Sequence, residues 1–156
     1  MTLEKLLAEL KKQQFKTVYW LEGEEEFFID QVIEYAEKNI LSESEASFNL
    51  TIFYGRDTSW PDLFNACRKY PMFSDKQVVI LKEAQAMKDV ERLETYVEKP
   101  LSSTLLFVAY KGKKLDGRTK LAKLLKDKAV LLSSKKLYDN ELPEWTSELI
   151  KAKDTP

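Results

Sequence analysis

The sequence predicts an α/β protein: a mostly parallel sheet of about five strands with helices on both faces. Three observations point there. Apolar residues recur alternately at helical and at strand spacing along nearly the whole chain. One segment, Gln77-Val78-Val79-Ile80-Leu81, is a continuous apolar run, the pattern of a strand buried on both faces. The helical stretches between strands are long enough to cross the sheet, and such crossovers place helices on its two sides.

Leu3, Leu6, Leu7 and Leu10 recur at i, i+3, i+4 and i+7 and give a first helix one apolar face. Lys16-Thr17-Val18-Tyr19-Trp20-Leu21 is β-branched and aromatic, and reads as a strand ending at Gly23. Ile29, Val32, Ile33, Ala36 and Ile40 mark a second helix, with Glu24, Glu25 and Glu26 crowding its start. A second strand is expected over 48–54, stopped by Gly55. Ser59 with Asp62 makes a capping-box pattern, Pro61 falls in the first turn, and Trp60, Leu63, Phe64 and Cys67 form a third helix's apolar face. Pro71 is expected to end that helix. Val90, Leu93 and Val97 indicate another helix closed by Pro100, and a fourth strand follows over 103–110. Leu121, Leu124 and Leu125 belong to a basic helix, residues 129–133 to a short fifth strand. Pro143, Trp145, Leu149 and Ile150 suggest a last helix beginning near Asp139 or Asn140.

Composition narrows the chemistry. A chain of 156 residues suits one domain of ordinary size, and 44% hydrophobic content is too high for intrinsic disorder. No apolar run is long enough for a transmembrane helix, and Met1-Thr2-Leu3-Glu4-Lys5 lacks the features of a signal peptide. Cys67 is the single cysteine, so no internal disulfide is expected, which fits a reducing cytoplasm. With no histidine and one cysteine, most transition-metal sites and every histidine-based acid–base or triad mechanism are excluded. A net charge of −1 gives no global pull toward nucleic acid.

In sheets of this class the loop after the first strand usually cradles phosphate at a helix N-terminus. Here that loop is Leu21-Glu22-Gly23-Glu24-Glu25-Glu26-Phe27-Phe28. It holds one glycine where several are needed, no Lys-Ser or Lys-Thr follows, and four carboxylates surround the spot. After the third strand stand Lys82 and Glu83 rather than an Asp for Mg²⁺. Glu83 reads better as a solvated strand-end carboxylate than as a leftover acid. No catalytic residue, cofactor site or metal site is assigned. The expectation is a nucleotide-binding architecture without its chemistry.

A specific resemblance covers nearly the whole chain. Val18-Tyr19-Trp20-Leu21-Glu22-Gly23-Glu24-Glu25-Glu26-Phe27-Phe28-Ile29 is similar to the opening of the delta subunit of the bacterial DNA polymerase III clamp loader. Phe48-Asn49 with Tyr54-Gly55 resembles that family's second strand. Arg68-Lys69-Tyr70-Pro71-Met72-Phe73-Ser74-Asp75-Lys76, running into Gln77-Val78-Val79-Ile80-Leu81-Lys82-Glu83-Ala84, resembles its best-marked segment. Tyr96, Pro100, Ser103-Thr104-Leu105-Leu106 and Leu115-Asp116-Gly117-Arg118-Thr119-Lys120-Leu121 continue the match in order. The resemblance implies an AAA+/P-loop NTPase-like fold that does not itself bind ATP. It also implies residues 1–136 as an N-terminal domain and 137–156 as the start of a truncated helical second domain, since Leu142-Pro143-Glu144-Trp145 is similar to that start. The related delta-prime subunit fits less well, because neither its cysteine-rich zinc module nor its Ser-Arg-Cys motif is present.

The function implied is a non-catalytic subunit that binds and opens the sliding clamp during DNA replication. Its partners would be the clamp, the other clamp-loader subunits in a hetero-oligomer, and primed DNA through the assembled complex. Pro71, Met72 and Phe73 are the candidate clamp-binding residues, because the family's matching apolar pair enters a hydrophobic pocket on the clamp. Taken without the resemblance, Met72 and Phe73 read as a plug covering a helix end. Lys111, Lys113, Lys114, Arg118, Lys120, Lys123, Lys126 and Lys128 form a basic run that reads as a solvated helix face, with a neighbouring subunit or DNA phosphate as the other reading. Cys67 reads as a small core residue. Two alternatives stand beside the clamp-loader reading: a small α/β nucleotide- or phosphate-binding enzyme, and an adaptor with a degenerate ATPase fold and another partner.

Overall fold

The computed structural model describes residues 2–134. The expected last helix and the division at residue 137 lie outside them. Strands β1 (Val18–Gly23), β2 (Leu50–Tyr54), β3 (Gln77–Lys82), β4 (Thr104–Lys111) and β5 (Val130–Ser134) form one sheet in the order β2-β3-β4-β1-β5. Every pairing is parallel, with Val18 beside Leu106, Tyr19 beside Val130, and Val78 beside both Leu50 and Leu105.

Alternation along the strands fills two cores, because successive side chains point to opposite faces. Tyr19 and Leu21, Val78 and Ile80, and Leu105 and Phe107 pack under α1 (Leu3–Lys11) and α2 (Glu26–Asn39). Val18 and Trp20, Val79 and Leu81, and Leu106 and Val108 face the other side. There they meet Leu63 and Cys67, Leu93 and Val97, and Leu121 and Leu125. These belong to α4 (Trp60–Cys67), a turn-and-helix segment, and α6 (Lys120–Lys128). Residues 78–81 and 105–109 are buried throughout, as a doubly covered sheet requires. Among the described residues no helix is long and apolar enough to cross a membrane.

Four local expectations are corrected. The segment 48–54 is not all strand: Phe48 and Asn49 end a helix, α3 (Glu43–Asn49), and β2 begins at Leu50. The cause is a full capping box, in which Ser42 Oγ accepts from Glu45 N and Glu45 Oε1 accepts from Ser42 N. At Ser59 only half of such a box forms, with Ser59 Oγ accepting from Asp62 N at 3.4 Å. The helix α4 stops at Cys67, before Pro71 can act on it. The helix marked by Val90 starts as a 3-10 turn, Val90–Leu93, and becomes α5 only over Glu94–Glu98.

Candidate functional site

Between the end of α4 and the start of β3 the chain forms a tip, residues 68–76, at the amino-terminal end of the sheet. Ligands of α/β sheets normally sit at the opposite end, beyond the strands' carboxyl termini. Met72 is 50% exposed and Phe73 87%, while Pro71 is half-buried. Tyr70, in the same tip, is also exposed. The ring of Phe48, on α3, meets that of Phe73 edge-on with centroids 5.8 Å apart. A core plug would be buried, so these side chains do not play that part. Grouped exposed apolar side chains mark interaction surfaces.

The main chain of the tip, by contrast, is tied down. Gln77 is buried, and its side-chain nitrogen lies 3.0 Å from Ala66 O, near the end of α4, and 2.7 Å from Lys69 O, at the start of the tip. Asn49, 2% exposed, pairs with both main-chain groups of Met72: its Oδ1 accepts from Met72 N and its Nδ2 donates to Met72 O, each at 2.7 Å. Ser74 Oγ donates to Glu45 Oε2 at 2.5 Å and accepts from Lys76 N at 3.3 Å. The Ser74 bond, with those from Ser42, holds the Glu45 carboxyl below the usual carboxylate range. Phe73 itself has φ +58°, a left-handed conformation that bulky residues rarely adopt.

The opposite end of the sheet is built differently from a phosphate site. Only Glu24 and Glu25 connect β1 to α2, and the Glu25 carboxylate accepts from Phe27 N at 3.2 Å, capping the helix where a phosphate would bind. Glu26 lies 3.9 Å and Asp30 2.7 Å from Lys111 Nζ. Glu22 is not part of an acidic rim. It is buried and braces the sheet, accepting from Trp20 Nε1 (2.9 Å), Leu115 N (3.2 Å) and Ser133 Oγ (2.9 Å). Gly23 has φ +126°, and a Cβ there would lie 1.7 Å from Ser134 O.

A cleft of about 420 Å³ opens beside α2, lined by Asp30, Glu34, Glu37, Lys82, Glu83 and Lys111 among others. Lys82 is already bridged to Glu37 at 2.8 Å, and Lys111 to Asp30, so an anionic ligand would compete with built-in carboxylates for both. Glu83 sits in a left-handed turn and accepts from Gln85 Nε2 at 2.6 Å. Among the described residues no group of His, Cys, Asp and Glu has the spacing of a metal site.

The basic run divides. Lys111 is bound to α2 as above, Arg118 pairs with Asp116 at 2.8 Å, Lys120 with Glu98 at 3.2 Å, and Lys128 donates to Glu98 O. Lys123 and Lys126 point to solvent from the face of α6 opposite Leu121 and Leu125. Cys67 is buried, and desolvation pushes its thiol up to about 12. Glu45, Phe48 and Asn49 were not among the residues expected at a site. The signal that could have found them is Ser42-x-x-Glu45, the start of α3.

Three comparisons bear on this geometry. The family model described as DNA polymerase III, delta subunit, matches residues 19–135. DNA polymerase III subunit delta of Bacillus subtilis (strain 168) is 25% identical over 152 residues, which cover 91% of this chain and 44% of that protein. The solved Bacillus subtilis DNA clamp loader delta protein superposes with a TM-score of 0.84 at 24% identity, over 97% of this chain and 48% of that one. A Thermotoga maritima DNA polymerase III gamma subunit-related protein has the same architecture at a TM-score of 0.57 and 14% identity, over 97% of this chain and 50% of its own. The chain thus spans less than half the length of the Bacillus relatives it matches. The expected parallel five-stranded sheet with helices on both faces is the observed fold, and it is shared with these solved structures. With the match running from the first strand through the fifth, the chain belongs to the DNA polymerase III delta subunit family.

Proposed function

We propose that this chain docks on the sliding clamp through Pro71, Met72 and Phe73 and helps to open it, as a subunit without catalysis of its own. The observation that carries the reading is the tip: two large apolar side chains held out of the core on a main chain that is hydrogen-bonded in place. A flexible thioether beside an aromatic anchor suits a preformed apolar pocket. If the tip binds the clamp's open form better than the closed one, docking shifts the population toward opening by that difference in affinity. Other subunits of the polymerase III clamp-loading complex would handle ATP and bring primed DNA, in the cytoplasm. The Glu25 cap on α2 supports the division of labour, since a polyphosphate would have to displace it.

The test is Met72→Ala/Phe73→Ala, with clamp binding and chemical denaturation measured on the same protein. Burial of either side chain at the interface is worth about 1.5–3 kcal/mol. The pair should therefore cost at least about a hundredfold in clamp affinity while stability stays within about 0.5 kcal/mol. A stable double variant that still binds clamp normally refutes the site. A rise in melting temperature at millimolar Mg²⁺–ATP, where a bound ligand at 100 times its Kd adds about 2.7 kcal/mol, would favour the nucleotide-binding enzyme instead.

A further inference from the structure

The geometry points to α3 as a bracket that presets the apolar tip, with Asn49 as its positioning residue; this rests on the clamp-docking reading above. Glu45, Phe48 and Asn49 fall at i, i+3 and i+4, so they share one face of the helix. All three are spent on the tip: Asn49 on the main chain of Met72, Glu45 on the hydroxyl of Ser74, Phe48 on the ring of Phe73. The two hydrogen-bonded tethers flank Phe73, the one residue of the tip in the left-handed region. A bulky side chain holds that conformation only where its surroundings fix it. Released from the tethers, residues 72–74 would relax toward ordinary backbone angles, and the ring would no longer stand where it does. Asn49 is itself buried and cannot meet a partner. Its contribution to binding is to remove the ordering that a loose tip would undergo on docking.

The experiment compares clamp affinity for wild type, Asn49→Ala, Phe73→Ala and the two combined, together with amide exchange of the free chain. Asn49→Ala is expected to weaken binding roughly tenfold. Exchange should speed up over residues 72–76 while protection over 78–81 is unchanged. Because Asn49 acts through Phe73, the combined variant should lose less than the product of the two single losses. Wild-type affinity in Asn49→Ala, or losses that simply multiply, overturns the bracket. If Asn49→Ala does not fold, Ser74→Ala decides: it cuts the Glu45 tether, together with the longer bond from Lys76 N, leaves Asn49 in place, and should weaken binding several-fold at little change in stability, and normal binding overturns the proposal. The Met72→Ala/Phe73→Ala protein keeps the two readings apart. Should it lose the clamp while the bracket variants keep it, only the bracket falls; should it bind normally, tip docking falls and the bracket with it.

Discussion

Replacing Glu22 tests how the sheet is held at the carboxyl end of β1. Its carboxylate gathers three donors from separate places: the indole of Trp20 on the same strand, the amide of Leu115 in the loop after β4, and the hydroxyl of Ser133 on β5. In Glu22→Ala the Trp20 indole, 1% exposed, is left without an acceptor. Leu115 N is half-covered, and the Ser133 hydroxyl can turn to water. Each stranded buried donor costs about 1–3 kcal/mol, so the alanine variant should lose roughly 2–4 kcal/mol. Glu22→Gln keeps an oxygen for Trp20 and Leu115, and its amide can donate to Ser133 Oγ, so a loss below about 1 kcal/mol is expected. Urea denaturation followed by tryptophan fluorescence reads both, provided the slope is unchanged between variants. If glutamine were as damaging as alanine, the negative charge rather than the accepted donors would be the cause. If alanine were harmless, the brace would be redundant.

Glycine positions give a paired test: Gly23→Ala places a Cβ against Ser134 O at φ +126° and should cost several kcal/mol, read as a lower melting temperature. The same change at Gly117, where nothing lies within 4 Å, should stay within about 0.5 kcal/mol. Stability should also fall in alkali. The Cys67 thiol ionises near its ordinary 9.0 in the unfolded chain but at about 12 in the fold, so between those values the unfolded state binds fewer protons and stability drops as pH rises. The slope from this group is at most about 1.4 kcal/mol per pH unit, and Cys67→Ala should flatten it in urea midpoints taken from pH 8 to 11. Burial raises Tyr96 to about 12 as well, so part of the alkaline decline should survive the substitution.

What the residues disclosed in advance, and what they hid, follows from the range of the interactions. Strands such as Val78-Val79-Ile80-Leu81 were legible because burial on both faces leaves only apolar choices. The Phe48-Asn49 pair misled because it runs straight into Leu50-Thr51-Ile52-Phe53, a β-prone stretch, while the opposing signal at Ser42 and Glu45 lay further back. Met72 and Phe73 could be singled out as adjacent bulky residues after a proline, yet the tip that carries them is bonded to Asn49 and Gln77, partners that spacing does not reveal. Glu22 looked like one carboxylate among four; only the fold sets it against Trp20, Leu115 and Ser133.

The strand order also governs how the chain is made. β1 pairs only with β4 and β5, whose residues follow far behind it in the sequence. At ribosomal speeds of about 5–20 residues per second, β1 waits on the order of 4–17 s for β4 to be synthesised. Throughout that interval Val18, Tyr19, Trp20 and Leu21 have no strand on either side, while β2 and β3 can already pair with each other. The seam between β4 and β1 therefore closes late, with β5 added at the edge after it, and a nascent chain stalled before residue 104 presents an open apolar strand that chaperones or another nascent chain can capture.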